Sequence, residues 1–454
     1  MTSRLSTSRR AVLAGAAGTA LAALAGKTRA AARKTGPATR RFPKGFRWGT
    51  ATAAYQIEGN DTDADLWLLE NVEPTAFAQR SGDACDSLHR YAVDVGLSAA
   101  NGFNTYRFSL EWARIEPVRG AFSVAFLDYY RRVIDCCRQH GIDPAVTFLH
   151  GSAPRWFAEA GGWLNPQAPA LFARFCSVAA KALAADMAFA FTINEPEVQQ
   201  GFEALPGSGP YFRKHKALEL ASHAAAARAS GCERYVTLNY PDIDAMTPQL
   251  IAGHEQAYAA IKAERASLPV SVTLNIIDFQ PATQDSPYKE IRKKAYGEWL
   301  DVVRRTADFA AVQIYRQVRI PGSGKPLPAP PPMPYVKPDD MFAAMSRPEA
   351  LRNGVEYVYS AVKKPIFVTE NGLETENDAR RVWYIDAALS GLHEAIAGGV
   401  PVLGYLHWSL MDNFEWEQGY GPKYGLYAVD RVTFKRSAKP SAAHFGRVAR
   451  RNEI

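Results

Sequence analysis

The sequence predicts a single (β/α)8 barrel, and three observations carry that expectation. Eight short runs rich in β-branched and aromatic residues recur from Phe46 onward, and amphipathic helical stretches lie between them. Most of the runs are near-continuously apolar, as strands buried on both faces must be. Strand-then-helix order repeated in this way closes a parallel barrel rather than an open doubly wound sheet. The length of 454 residues with 47% hydrophobic residues supplies a large core, and barrels with long loops stay single domains at this size.

In chain order the expected strands are FRWGTAT (46–52), TYRFSL (105–110), PAVTFL (144–149) and AFAFTIN (188–194), then VSVTLNII (270–277), FAAVQIY (309–315), PIFVTE (365–370) and VLGYLHW (402–408). FLDYYRRVIDCCRQHG (126–141) reads as a helix closed by its final glycine, and RRVWYIDAALSGLHEAIAGG (380–399) as another. PGSGKPLPAPPPMP (321–334) could pass for a domain linker. The strand–helix pattern resumes after it, so it reads as a long surface loop at the barrel mouth.

The formal charge of +7 belongs to one end of the chain. Arg4, Arg9, Arg10, Lys27, Arg29, Arg33, Lys34, Arg40 and Arg41 precede the barrel with no acid among them, leaving −2 for residues 42–454. A nucleic-acid partner would need a basic stripe on the folded body, and none is apparent. Within residues 1–32 a twin arginine precedes a short apolar run, Ala11 to Ala25, and the small residues Ala30-Ala31-Ala32. That is the layout of a cleaved twin-arginine export signal. Residues 33–41 then read as a flexible basic tail, 42–454 as the barrel, and the destination as the periplasm or the exterior. A membrane anchor is the alternative, but the run is short and broken by Gly15, Gly18 and Thr19. No other stretch reads as long and apolar enough to cross a bilayer, so no membrane partner is expected after cleavage. Cys85, Cys136, Cys137, Cys176 and Cys232 lack metal-ligand spacing and read as buried thiols, with one disulfide as the alternative. His89, His215, His223 and His254 have no clustered partners and read as helix or surface histidines. No metal or cofactor is implied.

In a barrel the reactive groups stand at the C-terminal ends of the strands. Here those places hold Gln56, Arg107, His150, Asn194-Glu195, Tyr315, Glu370 and Trp408. Glu195 and Glu370 end the fourth and seventh strands in like contexts, T-I-N-E-P and V-T-E-N-G. A lone strand-end glutamate would more readily cap a helix or pair with an arginine. Two of them across one pocket cannot both ionise cheaply, so their pKa values split. One protonated acid facing one carboxylate nucleophile suits cleavage of a glycosidic bond. Trp408 and Trp416 around Glu415 in HWSLMDNFEWEQGYG offer apolar faces to sugar rings and an acceptor to their hydroxyls, although tryptophans alone are more often packing residues.

These residues resemble glycoside hydrolase family one, the β-glucosidase family, over roughly residues 42–446, as a divergent bacterial branch. FPKGFRWGTATAAYQIEG, YRFSLEWARIEP, TINEP, VTENG and WSLMDNFEWEQGYGPKYGLYAVD follow in the order the family shows. The resemblance implies a retaining β-glycosidase of the glucoside, galactoside or fucoside type, acting on a small-molecule or oligosaccharide β-glycoside. Glu195 would be its acid/base and Glu370 its nucleophile. It implies Arg107 and Tyr315 beside the nucleophile, keeping it ionised and oriented. Gln56, His150, Asn194, Glu415 and Trp416 would hold sugar hydroxyls, with Trp408 beneath the ring and Tyr424 in the same C-terminal motif.

Several positions depart from the family pattern. Gly151-Ser152-Ala153-Pro154 replaces Trp-Asp-Leu-Pro, Gln313-Ile314-Tyr315 replaces Asn-Tyr-Tyr, Ala190 replaces a tryptophan, and residues 61–86 differ from the usual loop. The open Gly-Ser is expected to enlarge or rewet part of the pocket and to put glucose specificity in doubt. A 6-phospho-glycoside is disfavoured because Glu415 would repel it, although Lys423 and Tyr424 faintly imitate a phosphate cluster. A carbohydrate-binding barrel without turnover is the alternative of a different class, supported by the altered third and sixth strand ends.

Overall fold

The computed structural model describes residues 40–205 and 209–322, scattered positions between 325 and 335, and residues 341–454. The expected export signal and residues 33–39 of the expected tail lie outside them, as does part of the 321–334 loop. Eight parallel strands close a barrel: β1 Arg47–Ala51, β2 Thr105–Ser109, β3 Asp143–Leu149, β4 Phe189–Asn194, β5 Val270–Asn275, β6 Ala310–Gln313, β7 Ile366–Asn371 and β8 Val402–Trp408. Each strand pairs with its sequence neighbours among the eight, and β1 closes the ring on β8. All eight expected strands are present. The sixth is shorter than expected, so Tyr315 stands two residues beyond its end.

Ala51, Ala145, Phe191, Phe309, Ala311, Phe367 and Leu406 fill the lumen, while the alternate residues pack outward against the helical ring. Ser123 accepts a bond from Phe126 N at 3.3 Å to start the helix Val124–Gln139, and Asn377 does the same for Asp378–Ala397 from Ala379 N at 3.1 Å. One barrel helix corrects the expectation that only the tail could span a membrane. The helix Ala168–Leu183 and the three residues after it are long and apolar enough. Its apolar face, including Phe172 and Phe175, is buried in the core, so barrel packing accounts for its composition.

Residues 40 and 41 correct the expected domain boundary. Arg40 N bonds the carbonyl of Ile454 at 3.1 Å, and Arg41 bridges to Glu453. These two residues of the expected tail are tied to residues 453 and 454 and belong to the same compact unit as the barrel. All five cysteines are free thiols, four of them buried.

Candidate active site

The strand ends are irregular where the carboxylates stand. Phe191 and Asn194 are three apart, yet both face the lumen, which strict alternation forbids. A register shift makes this possible: Phe191 pairs with Ser271 but Asn194 with Thr273. The seventh strand repeats the device, since Val312 pairs with Val368 but Gln313 with Glu370. Such bulges re-aim side chains at barrel rims. Glu195 then leaves the strand in the left-handed region at φ 49°, a costly conformation for a non-glycine residue that the surrounding contacts must hold.

Arg107, Asn194, Gln313, Tyr315 and Glu370 lock together at the floor of the pocket. Arg107 lies over the Phe191 ring at 5.1 Å and donates to Glu370 Oε1 at 2.5 Å and Asn194 Oδ1 at 2.6 Å. Gln313 Nε2 donates to the same two oxygens at 2.8 and 2.7 Å. Tyr315 donates its hydroxyl to Glu370 Oε2 at 2.6 Å. With Asn194 Oδ1 also accepting from Thr273 at 2.9 Å, the amide nitrogen of Asn194 is the end turned to the cleft that Asn194 lines. Glu195, by contrast, receives one side-chain donor among the described residues, Asn275 Nδ2 at 2.8 Å on Oε1.

These partners divide the two acids. Burial, then the nearby Glu370, pushes Glu195 up to about 8. Burial also raises Glu370, but Arg107 and the Tyr315 hydroxyl oppose it directly. The charge therefore settles on Glu370 and the proton on Glu195. Burial and Arg107 hold His150 well below its ordinary value, so it is a neutral imidazole.

The cleft has a volume of about 340 Å³ and is lined by His150, Asn194, Glu195, Tyr315, Glu370, Trp408, Glu415, Trp416 and Tyr424 among others. Nine of the eleven candidate residues thus stand on its wall. Arg107 lies just behind Glu370. Gln56 is the exception: it is fully buried behind Glu415, donating to Phe414 O at 2.7 Å and more weakly to Glu415 Oε2 at 3.4 Å. Its Oε1 has no partner among the described residues. Trp408 Nε1 reaches Glu415 Oε1 at 3.3 Å.

Several expectations are corrected. Gly151 does not open the pocket: an added Cβ would come within 2.4 Å of the Trp416 ring. Trp416 fills that room, stacked between Tyr55 and His150 at 6.2 and 6.1 Å. Ser152 does not rewet it either, being buried and bonded to Glu111 Oε2 at 2.6 Å. Ala190 packs in the outer core, away from the cleft. His215 lies on a helix as expected, Gly209–Ser230, and it also lines the cleft, paired with Glu219 at 3.2 Å. The Lys423 amine bonds the carbonyl of Tyr420 at 2.7 Å and is not on the cleft wall, which removes the imitation of a phosphate cluster. Gln313 and Asn275 are site residues that sequence reasoning passed over. Each is the polar last residue of an apolar strand, the same signal that marked Asn194.

Comparison with known proteins agrees with this geometry. The chain matches the family described as Glycosyl hydrolase family 1 over residues 38–295 and 300–454. It is 32% identical to the thermostable beta-glucosidase B of Thermobispora bispora, covering 91% of each chain. It is 29% identical to the coniferin beta-glucosidase of Pinus contorta, covering 89% of this chain and 91% of that one. Among solved structures, beta-glucosidase 1317 is similar at 40% identity and a TM-score of 0.83, covering 89% of this chain and 98% of that chain. The beta-glycosidase BGL167 is similar at 39% identity and 0.81, covering 90% and 97%. The chain therefore belongs to glycosyl hydrolase family 1 and is a retaining β-glycosidase.

Proposed function

We propose that the chain hydrolyses small β-glycosides of the glucoside, galactoside or fucoside type by double displacement, with Glu195 as acid/base and Glu370 as nucleophile. The observation that carries the assignment is the unequal set of donors among the described residues: Arg107, Gln313 and Tyr315 on Glu370, a single amide on Glu195. Glu370 attacks the anomeric carbon while Glu195 gives its proton to the departing glycosidic oxygen. A covalent glycosyl-enzyme results. Glu195, now a carboxylate, takes a proton from water, which attacks the same carbon and releases Glu370. Two inversions give net retention. Arg107 and Tyr315 hold Glu370 charged before attack and as it leaves. Trp408 offers a platform to the sugar ring. Glu415, the Asn194 amide and neutral His150 offer partners for its hydroxyls, and the free Oε1 of Gln56 supports a role behind them.

Replacement of Glu370 by alanine tests the assignment. Turnover of aryl β-glycosides is expected to vanish and to return with added azide or formate, giving a product of inverted configuration. Full activity without rescue would overturn it. In this reading the two carboxyl groups lie about 5–5.5 Å apart, as retention requires.

A further inference from the structure

We infer that Glu197 is a positioning residue for the acid: it pins the backbone of Asn275, whose side chain decides which oxygen of Glu195 carries the transferable proton. This rests on the assignment of Glu195 as the acid/base. Glu197 sits two residues past Glu195 and is fully buried. Its Oε1 accepts from the backbone N–H of Asn275 at 2.5 Å, and its Oε2 has no partner among the described residues.

The need for such a contact follows from the bulge in β4. Thr273 still meets β4, accepting from Glu195 N at 3.0 Å. Beyond that point β4 turns away through the left-handed Glu195, and the next N–H on β5, that of Asn275, has no ladder carbonyl there. A buried amide without a partner is costly. Glu197 supplies the missing acceptor from its side chain. Burial and the neighbouring Glu195 raise its own pKa well above the ordinary range, and Oε1 can accept from the Asn275 amide in either protonation state.

The consequence reaches Glu195 through one residue. Asn275 Nδ2 can only donate, so Glu195 Oε1, at 2.8 Å, must offer a lone pair. The carbonyl oxygen of a carboxyl group is its stronger acceptor, so this bond favours the proton of Glu195 on Oε2. If Asn275 moves, both oxygens can hold the proton and only one delivers it.

Glycosides with different leaving groups read this out. A dinitrophenyl glycoside departs without protonation, whereas a methyl or alkyl glycoside needs it. In Glu197→Leu, kcat/KM for the alkyl glycoside is expected to fall about tenfold, a part of the ~10²–10⁴ that general acid catalysis supplies. The dinitrophenyl glycoside should change less than twofold. Asn275→Ala should show the same contrast. Glu197→Gln, which keeps the acceptor oxygen and guards against a folding defect, should restore both rates. Equal losses on the two substrates, a Gln variant as impaired as Leu, or an Asn275→Ala enzyme with no contrast would each overturn the inference. Glu195→Ala, measured alongside, must show the contrast at larger amplitude. Its absence there would overturn the acid/base assignment itself.

Discussion

Arg107, Gln313 and Tyr315 converge on Glu370, and the two facing carboxyl groups differ in charge because of them. Removing one donor shifts the balance measurably. In Tyr315→Phe the loss of a hydrogen bond to a charged group is worth about 1.5–3 kcal/mol, so kcat/KM should drop on the order of ten- to a hundredfold. The pKa of Glu370 rises in the same variant, and the acidic limb of the pH–rate profile should move to higher pH. An unmoved limb would mean that Tyr315 does not hold the charge. The basic limb reports Glu195, whose proton is lost near pH 8. Glu195 is raised in the folded state from an ordinary 4.5. Its contribution to stability is therefore present below that value and lost as pH climbs through about 8. Glu195→Gln should accordingly gain melting temperature over the parent at pH 9 relative to pH 4, and no differential gain would contradict the shift.

The loops above β3 and β8 form the next scale. Trp416 stands in the left-handed region at φ 54°, and its segment is tied from outside by residues 61–86. Ala78 N bonds Glu417 O at 2.8 Å, and Gln79 Oε1 accepts from Tyr420 N at 2.7 Å. The divergent loop and the glycine after His150 are thus two parts of one packing arrangement around the indole. Gly151→Ala should displace the ring, since its Cβ would overlap it. The expected result is a raised KM for sugar together with a lowered melting temperature, because a Cβ at φ +82° is strained as well as crowded. Ser152→Ala should separate the two effects. It strips a donor from buried Glu111, costing about 1–3 kcal/mol of stability, with KM near that of the parent. Thermal melts and steady-state kinetics on the two variants check both.

At the scale of the whole molecule, the basic charge is concentrated before Phe42 and residues 42–454 carry a slight negative balance. That segregation, with the twin arginine and the A-x-A site, supports the proposal that residues 1–32 direct export and are removed. Replacing Arg9 and Arg10 by lysine should retain the uncut protein in the cytoplasm. Unchanged export of that variant, followed by cell fractionation and mass of the mature N-terminus, would refute it.

The sequence by itself determined the barrel and singled out the two strand-end carboxylates proposed to react. Apolar runs buried on both faces are a local signal, and each marked its strand to within about two residues at either end. Strand ends carrying Asn-Glu and Glu-Asn were legible because a carboxylate closing such a run has no packing use. Tertiary structure alone decided how those residues face one another. Counting by twos from Phe191 or Phe367 turns Asn194 and Glu370 away from the lumen, and only the register shifts against β5 and β6 turn them inward. The same holds for Gln313, Asn275, Glu197 and the fit of Gly151 beneath Trp416. Their meaning lies in a partner far away in the chain, and no local pattern encodes a distance across a closed ring.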